Sequence, residues 1–300
     1  MGLYVSSSGG CLNDYLVSVL LGIVEGLTEF LPVSSTAHLR ITEALLHISL
    51  GDPYWKMYTI VIQLGAILAL LLVFAGRIIE FLRTFPEGEE RDRTAWNHPL
   101  TLTLVAFVCT AIPAFLLTKV IGKHLESLKV MAWSLLVGGV VMWVVDEWST
   151  RSEPVTRHVE QMSLLQAIWI GLCQVLSAVF PGTSRSMSTI AAGQIVRMDR
   201  PSALEFSFLV SIPTMIAATG YDLLKTLHPK HAEGADAIAP LVMTGHGWIV
   251  LGIGFVVSFF VALGVVEWFL QWVRKHGFVP FAIYRILLGI LLLFFGARLA

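Results

Sequence analysis

The sequence predicts an all-α integral membrane protein with six transmembrane helices plus two re-entrant helical hairpins, arranged as an inverted-topology repeat. Three observations predict it. The composition is 56% hydrophobic and 14% charged, and the mean hydropathy is +0.76, values of a chain whose solvent is lipid. Several apolar runs reach the ~20 residues that a helix needs to cross a bilayer. A stretch of the first half also returns in the second: 169–186 aligns without gaps onto 20–37, at an offset of 149 from Pro32 to Pro181. That alignment places Gly171 on Gly22, Gln174 on Glu25, Ala178 on Glu29 and Ser184 on Ser35. His98 and His246, 148 apart, each open an apolar run.

Taken in order, 16–30 and 33–48 are short for crossings and are interrupted by Pro32, so they predict a hairpin that returns to its own side. Such backbone is tolerated at membrane depth only when buried in protein or lining a wet cavity. Apolar runs at 55–83, 98–122 and 127–148 predict three spans. The segment from Arg77 to His98 is charged and reads as an aqueous connector, and 149–161 as a polar linker. The second half repeats the plan, with a hairpin at 163–197 (arms 163–180 and 183–197), spans at 201–226, 246–272 and 278–298, and a loop over 228–245. The chain is thus one membrane domain over 1–300, with repeat 1 at 16–148 and repeat 2 at 163–298. Three crossings per repeat is an odd number, so the repeats are inverted and their hairpins enter from opposite faces, with tips meeting near the midplane.

A formal net charge of −1 predicts no nucleic-acid partner. Cys11, Cys109 and Cys173 are odd in number, lack metal-type spacing and read as packing residues. No basic residue precedes the first apolar run, so no removable signal peptide is expected. Lysines and arginines divide ten to eight between the two sides, which favours termini outside by a thin margin.

The chemistry is concentrated in Glu25-Gly-Leu-Thr-Glu-Phe-Leu-Pro-Val-Ser-Ser-Thr-Ala-His38. Ionisable groups at membrane depth are expensive and default to a functional site. Glu25 and Glu29, four apart, share a helix face. They read as ligands for a hard divalent cation that bridges to phosphate oxygens, or as a carboxylate pair sharing one proton. Ser34, Ser35 and Thr36 are N-cap candidates for a new helix. His38, one turn from Ser35, reads as a general base or acid, against the alternative of a structural buried histidine. Ser35 is either a nucleophile, or a phosphate ligand while His38 activates water. The second tip, Pro181-Gly-Thr-Ser-Arg-Ser186, adds Arg185 and the hydroxyls of Thr183, Ser184 and Ser186. Arg185 suits phosphate oxygens; alternatively it pairs with Glu25 or Glu29 and only holds the repeats together. Two half-helix N-termini converging there predict an anion site.

Other polar positions carry weaker expectations. Gln63 and Ser211, 148 apart, read as interhelical hydrogen-bonders or ligand contacts. Glu205 and Ser207 open a span where they can face the cavity, and Arg285 is expected to snorkel or to pair with an acid. Pro113 and Pro213 predict kinks, and Trp133, Trp143, Trp148, Trp248, Trp268 and Trp272 read as interfacial anchors.

At these residues the sequence resembles the bacterial undecaprenyl-diphosphate phosphatases, also called bacitracin-resistance proteins. The two tip motifs carry the resemblance, with Leu204-Glu-Phe-Ser-Phe-Leu209 and Pro280-Phe-Ala-Ile-Tyr-Arg285, and it covers roughly 16–298. It implies a multi-pass enzyme of the bacterial inner membrane that hydrolyses the C55 isoprenoid diphosphate to its monophosphate and inorganic phosphate. That reaction recycles the lipid carrier for peptidoglycan synthesis and confers bacitracin resistance. It also implies an active site open to the periplasm, a divalent cation (Mg²⁺ or Ca²⁺), and catalytic roles for Glu25, Glu29, Ser35, His38 and Arg185. Two positions depart from the family pattern: Ala37 stands where a glycine is familiar, and so does Met187. The partners implied are a polyprenyl diphosphate and membrane lipids, with a homodimer left open. The rival reading is a transporter or flippase of an anionic lipid or small anion, since broken helices meeting at the midplane also build transporters.

Overall fold

The computed structural model describes residues 13–48, 52–88, 94–117, 127–227 and 243–296. Cys11, Arg91, Arg93, Lys119, Lys123, Lys230, Arg298 and the side chain of Lys225 lie outside the described residues, as does most of the 228–245 loop. The fold is all-helical: α1 (Asp14–Thr28), α2 (Ser35–Leu45), α3 (Pro53–Thr84), α4 (Pro99–Leu116), α5 (Leu128–Thr150), α6 (Leu164–Val179), α7 (Arg185–Ile195), α8 (Arg200–Leu227), α9 (Gly245–His276) and α10 (Val279–Phe295). Among the described residues the only extended pairing is an isolated bridge between Thr156 and Met198.

The helices begin where local chemistry satisfies their free N–H groups. Asp52 caps α3 and His98 caps α4, each followed by a proline at the first helical position, where no N–H is required. Ser163 and Gln166 form a capping box at the start of α6. Five helices, α3, α4, α5, α8 and α9, are long and apolar enough to cross a membrane. The run expected at 278–298 forms the apolar α10 of 17 residues. Pro113 lies inside α4 and Pro213 inside α8.

The two hairpins share their local geometry. Ser34 (φ 74°) and Ser184 (φ 71°) cap α2 and α7, each side chain accepting the N–H three residues on. His47 (φ 56°) and Arg197 (φ 63°) end them in the left-handed region. There Ile48 donates its N–H to the Glu43 carbonyl and Met198 donates to that of Gly193. The gapless alignment does not hold through the turn. Ser184 takes the place of Ser34 rather than Ser35, because Gly182 and Thr183 fill the space that Val33 alone fills in the first turn. Arg185 therefore stands where Ser35 stands, each the first residue of its helix.

Packing crosses between the halves. Helix α1 lies along α9, and α6 along α4. A Cβ at Gly22 would strike the Gly254 carbonyl, and one at Gly171 the backbone of Ala106. Only the missing side chain lets these pairs approach so closely. Helix α10 packs on α5, while α3 touches both α9 and α8. The first turn is anchored by Phe30, which is fully buried and meets Phe208 edge-on at 5.6 Å. Large apolar side chains such as Phe115, Val144, Phe260 and Leu287 remain exposed on the helices, as on a surface solvated by lipid. Trp133, Trp143, Trp148, Trp248 and Trp268 are exposed too, whereas Trp272 is partly buried and stacks on His276 at 4.0 Å.

The Arg77–His98 connector starts later than expected, because α3 continues to Thr84. Glu205 is ion-paired: Arg77 donates to Glu205 at 2.9 Å and to Glu160 at 2.6 Å, and pairs with Glu80. The polar 149–161 linker is packed in part against the helices. Thr156 and Val159 are buried, and Gln166 donates to the Thr156 hydroxyl and the Val196 carbonyl.

Asp146, which no sequence pattern singled out, is fully buried and joins four helices. Arg200 donates to both of its oxygens at 2.8 and 2.9 Å, and Gln194 and the Phe278 N–H add one bond each. A buried carboxylate survives in such a place only when paired and fully hydrogen-bonded.

Candidate active site

The last turn of α1 and the turn after it carry Glu25 and Glu29 inward, on the shared face expected of residues four apart. Glu29 is 8% exposed, and both its oxygens are engaged across the two tips. Ser35 donates to Oε2 at 2.5 Å, and the Arg185 Nη2 donates to Oε1 at 3.0 Å. Each donor is the first residue of the helix that follows its turn, so the sequence break before each helix places them both. Glu25 is completely buried beside Glu29 and Arg185; among the described residues no donor group reaches its oxygens, and a proton shared with Glu29 is the one hydrogen bond open to it. A buried carboxylate without partners is costly and calls for a functional explanation.

His38 occupies a different environment. Its Nδ1 lies 2.7 Å from the Ser34 carbonyl and its Nε2 lies 2.6 Å from the Tyr284 hydroxyl. A carbonyl only accepts, so Nδ1 carries the hydrogen and a neutral His38 accepts at Nε2 from Tyr284. The rings stack at 5.6 Å with an interplanar angle of 10°. The structure thus brings Ser35 to Glu29 and His38 to Tyr284. Ser35 and His38 share a helix face without being hydrogen-bonded to one another.

The remaining hydroxyls divide. Ser34 and Ser184 serve as caps, and Ser186 donates to the Leu31 carbonyl at 3.1 Å while meeting Ser184 at 3.1 Å. Thr36 is exposed and, with Ser35, lines a pocket between α2 and α3. Gln63 accepts from Thr219 at 3.2 Å, an interhelical bond, whereas Ser211 donates within its own helix to the Phe208 carbonyl. Ser207 meets Thr189 at 2.6 Å and so supports α7.

Arg285 overturns its expectation. It is fully buried, and among the described residues it bonds carbonyls and no acid. Its Nη1 donates to the Pro32 carbonyl at 3.0 Å, and its Nη2 donates to the carbonyls of Thr183 at 2.8 Å, Gly182 at 3.1 Å and Ser134 at 3.2 Å. One guanidinium therefore clamps both turns. Each tip had a sequence signal, the proline that ends its helix. Nothing local to residue 285 shows that it would reach carbonyls over a hundred positions away.

The Glu25 oxygens are the observation on which a cation can be tested. Among the described residues no group of three or more His, Cys, Asp or Glu side chains converges to cage an ion. A hard cation such as Mg²⁺, however, commonly takes one or two carboxylates and completes its shell from substrate phosphates and water. Unpartnered Glu25 beside Glu29 fits that arrangement.

Fold and site together define a class: an all-α, multi-pass membrane protein with a buried carboxylate–serine–arginine chain between two helix breaks. The profile of the family described as bacitracin resistance protein BacA matches residues 18–291, and the chain belongs to that family. A protein of Koribacter versatilis named undecaprenyl-diphosphatase is 64% identical over 282 residues, which span 94% of this chain and 98% of that one. Proteins of the same name from Rhizobium etli and Wolinella succinogenes are each 42% identical, covering 93% and 94% of this chain and 96% and 98% of their own lengths.

Proposed function

We propose that this protein is an undecaprenyl-diphosphatase, releasing inorganic phosphate from the diphosphate of a long isoprenoid and leaving its monophosphate. The observation that carries the reading is the chain Ser35–Glu29–Arg185 beside unpartnered Glu25, in a protein 64% identical to one of that name. In hydrolysis an oxygen nucleophile attacks the terminal phosphorus. The bond from that phosphorus to the bridging oxygen breaks, and the electron pair leaves with the polyprenyl monophosphate. Arg185 holds phosphoryl oxygens with its planar fork, taking them in exchange for Glu29. Glu29, already the acceptor of the Ser35 proton, receives it if Ser35 attacks; water must then cleave the phosphoserine P–O bond, freeing inorganic phosphate and returning the proton to Ser35. If water attacks, His38 is the base through Nε2, once Tyr284 yields that nitrogen. The hydroxyls of Ser34, Thr36, Thr183, Ser184 and Ser186 support the phosphates, directly or by holding the turns.

Glu25 and Glu29 hold a divalent cation, Mg²⁺ or Ca²⁺. When bound, the ion offsets the charge on the phosphoryl oxygens. Six crossings with two re-entrant hairpins, inverted repeats at 16–148 and 163–298, an inner-membrane location and a periplasm-facing site complete the reading. Its support is the shared cap geometry of the hairpins and the reciprocal packing of α1 on α9 and α6 on α4.

The test is phosphate release from a polyprenyl diphosphate by purified protein in detergent, with and without EDTA. Release abolished by chelator and restored by Mg²⁺ or Ca²⁺ is expected. A folded protein that releases nothing in detergent, yet moves an anionic lipid across vesicles, is a transporter instead.

A further inference from the structure

The pocket beside Ser35 has a cation of its own. It occupies about 110 Å³, several waters in size at about 30 Å³ each. Ser35, Thr36, Leu39, Arg40, Glu43, Thr59, Ile60 and Gln63 line it, but Glu25, Glu29, His38 and Arg185 do not. Ser35 thus faces two ways, bonded to Glu29 on one hand and lining this pocket on the other. The free donors of the pocket are the Thr36 hydroxyl, the Arg40 guanidinium and the amide of Gln63; the Ser35 and Thr59 hydroxyls already donate, to Glu29 and to the Lys56 carbonyl, and the Glu43 carboxylate also lines it. With Oε1 accepting from Thr219, Gln63 has its NH₂ group to offer. This donor set matches a tetrahedral oxyanion.

Glu43 shapes the affinity. Arg40 donates to Glu43 at 3.0 Å, and the Glu43 side chain is 2% exposed against 18% for Arg40. The carboxylate is the fixed partner, and the guanidinium is the one that can turn. An anion must compete with Glu43 for Arg40, so it binds weakly and leaves quickly.

We infer that this pocket is a phosphate subsite adjoining the reaction centre, that Arg40 is its cation, and that Glu43 keeps its affinity low enough for release. Resting on the hydrolase reading, this places the phosphate group freed at Ser35 one step from the reacting atoms, on a path between α2 and α3. The same chemistry would take the phosphate headgroup of the lipid product.

The experiment is thermal unfolding of the full chain in detergent, titrated with inorganic phosphate and, separately, with a polyprenyl monophosphate. Both wild type and Arg185→Gln are expected to be stabilised by inorganic phosphate. Arg40→Gln weakens the apparent affinity by about tenfold or more, as loss of a charge-assisted contact does. Arg40→Lys, which keeps the charge without the fork, falls between them and serves if Arg40→Gln does not fold. Glu43→Gln tightens binding, an effect that a purely structural Arg40–Glu43 pair would not produce. Stabilisation by the lipid monophosphate alone, still dependent on Arg40, assigns the subsite to the headgroup. Arg40→Gln titrating like wild type overturns the inference, as does a wild type that responds to neither probe. Because binding is read without turnover, a protein that binds phosphate through Arg40 yet hydrolyses nothing sinks the hydrolase reading alone.

Discussion

Glu29 is the residue on which the two tips converge, and Glu25 is the residue that gains nothing from the fold. Glu29 has a donor for each oxygen, so its charge is compensated before substrate arrives. Glu25 has no donor among the described residues, and its burial is a cost that a bound cation or a proton shared with Glu29 offsets. Glu25→Gln is therefore expected to raise the thermal midpoint while activity falls, as when an active-site strain is relieved. A gain of 1–2 kcal/mol corresponds to roughly 2–4 °C for each kcal/mol. A lower midpoint with intact activity would show that Glu25 is a structural acid. Tyr284 belongs to the same scale. Removing its hydroxyl in Tyr284→Phe frees Nε2 and loosens the ring, and kcat is expected to fall about tenfold with KM little changed, a positioning effect. Unchanged kcat would show that Tyr284 does not position His38 for the reaction. The Glu25, Glu29, Ser35 and Arg185 constellation was legible in the sequence because each residue is anomalous where it stands. The pairing of Ser35 with Glu29 and of His38 with Tyr284 was not. The second joins positions 246 apart, and no local spacing encodes it.

Among the elements, the hairpins were legible in outline and the clamp that joins them was not. Prolines and clustered hydroxyls announced both breaks, yet the gapless alignment hid the extra residue that sets Arg185 opposite Ser35. Arg285 spends its donors on the carbonyls of both turns, and α10 brings it there only because α5 offers Gly138. A Cβ at Gly138 would collide with the guanidinium of Arg285 and with the Met187 side chain. Gly138→Ala is expected to destabilise the protein by about 1–3 kcal/mol, through overpacking and loss of the clamp. Its activity should drop together with its midpoint. A variant of normal stability and activity would show that α5 and α10 separate without consequence.

At the scale of the whole molecule, each half lends its broken helix to the other. Helix α1 packs on α9 and α6 on α4, and the Arg185–Glu29 bond of the candidate site joins the two halves. Solubilised protein has no sides to transport between. Phosphate release that survives solubilisation but stops with EDTA identifies a cation-dependent enzyme. Release that persists in EDTA keeps the enzyme and removes the ion from Glu25 and Glu29. The exposed apolar belt was foreseeable from composition, as was the all-helical architecture that lipid demands of backbone hydrogen bonds.

Sequence alone determined what each segment must become. Long apolar runs must be helices in lipid, a proline at membrane depth must end one, and charges placed beside such an end must have a use. Those are local costs, and local costs can be read residue by residue. Only the tertiary structure decided which group answers which: Arg285 for the turn carbonyls, Arg77 for Glu205, Arg200 for Asp146, Ser35 for Glu29. Several acids and bases could have satisfied each of those groups. The choice among them was made by how closely the helices pack, a property of the assembled chain.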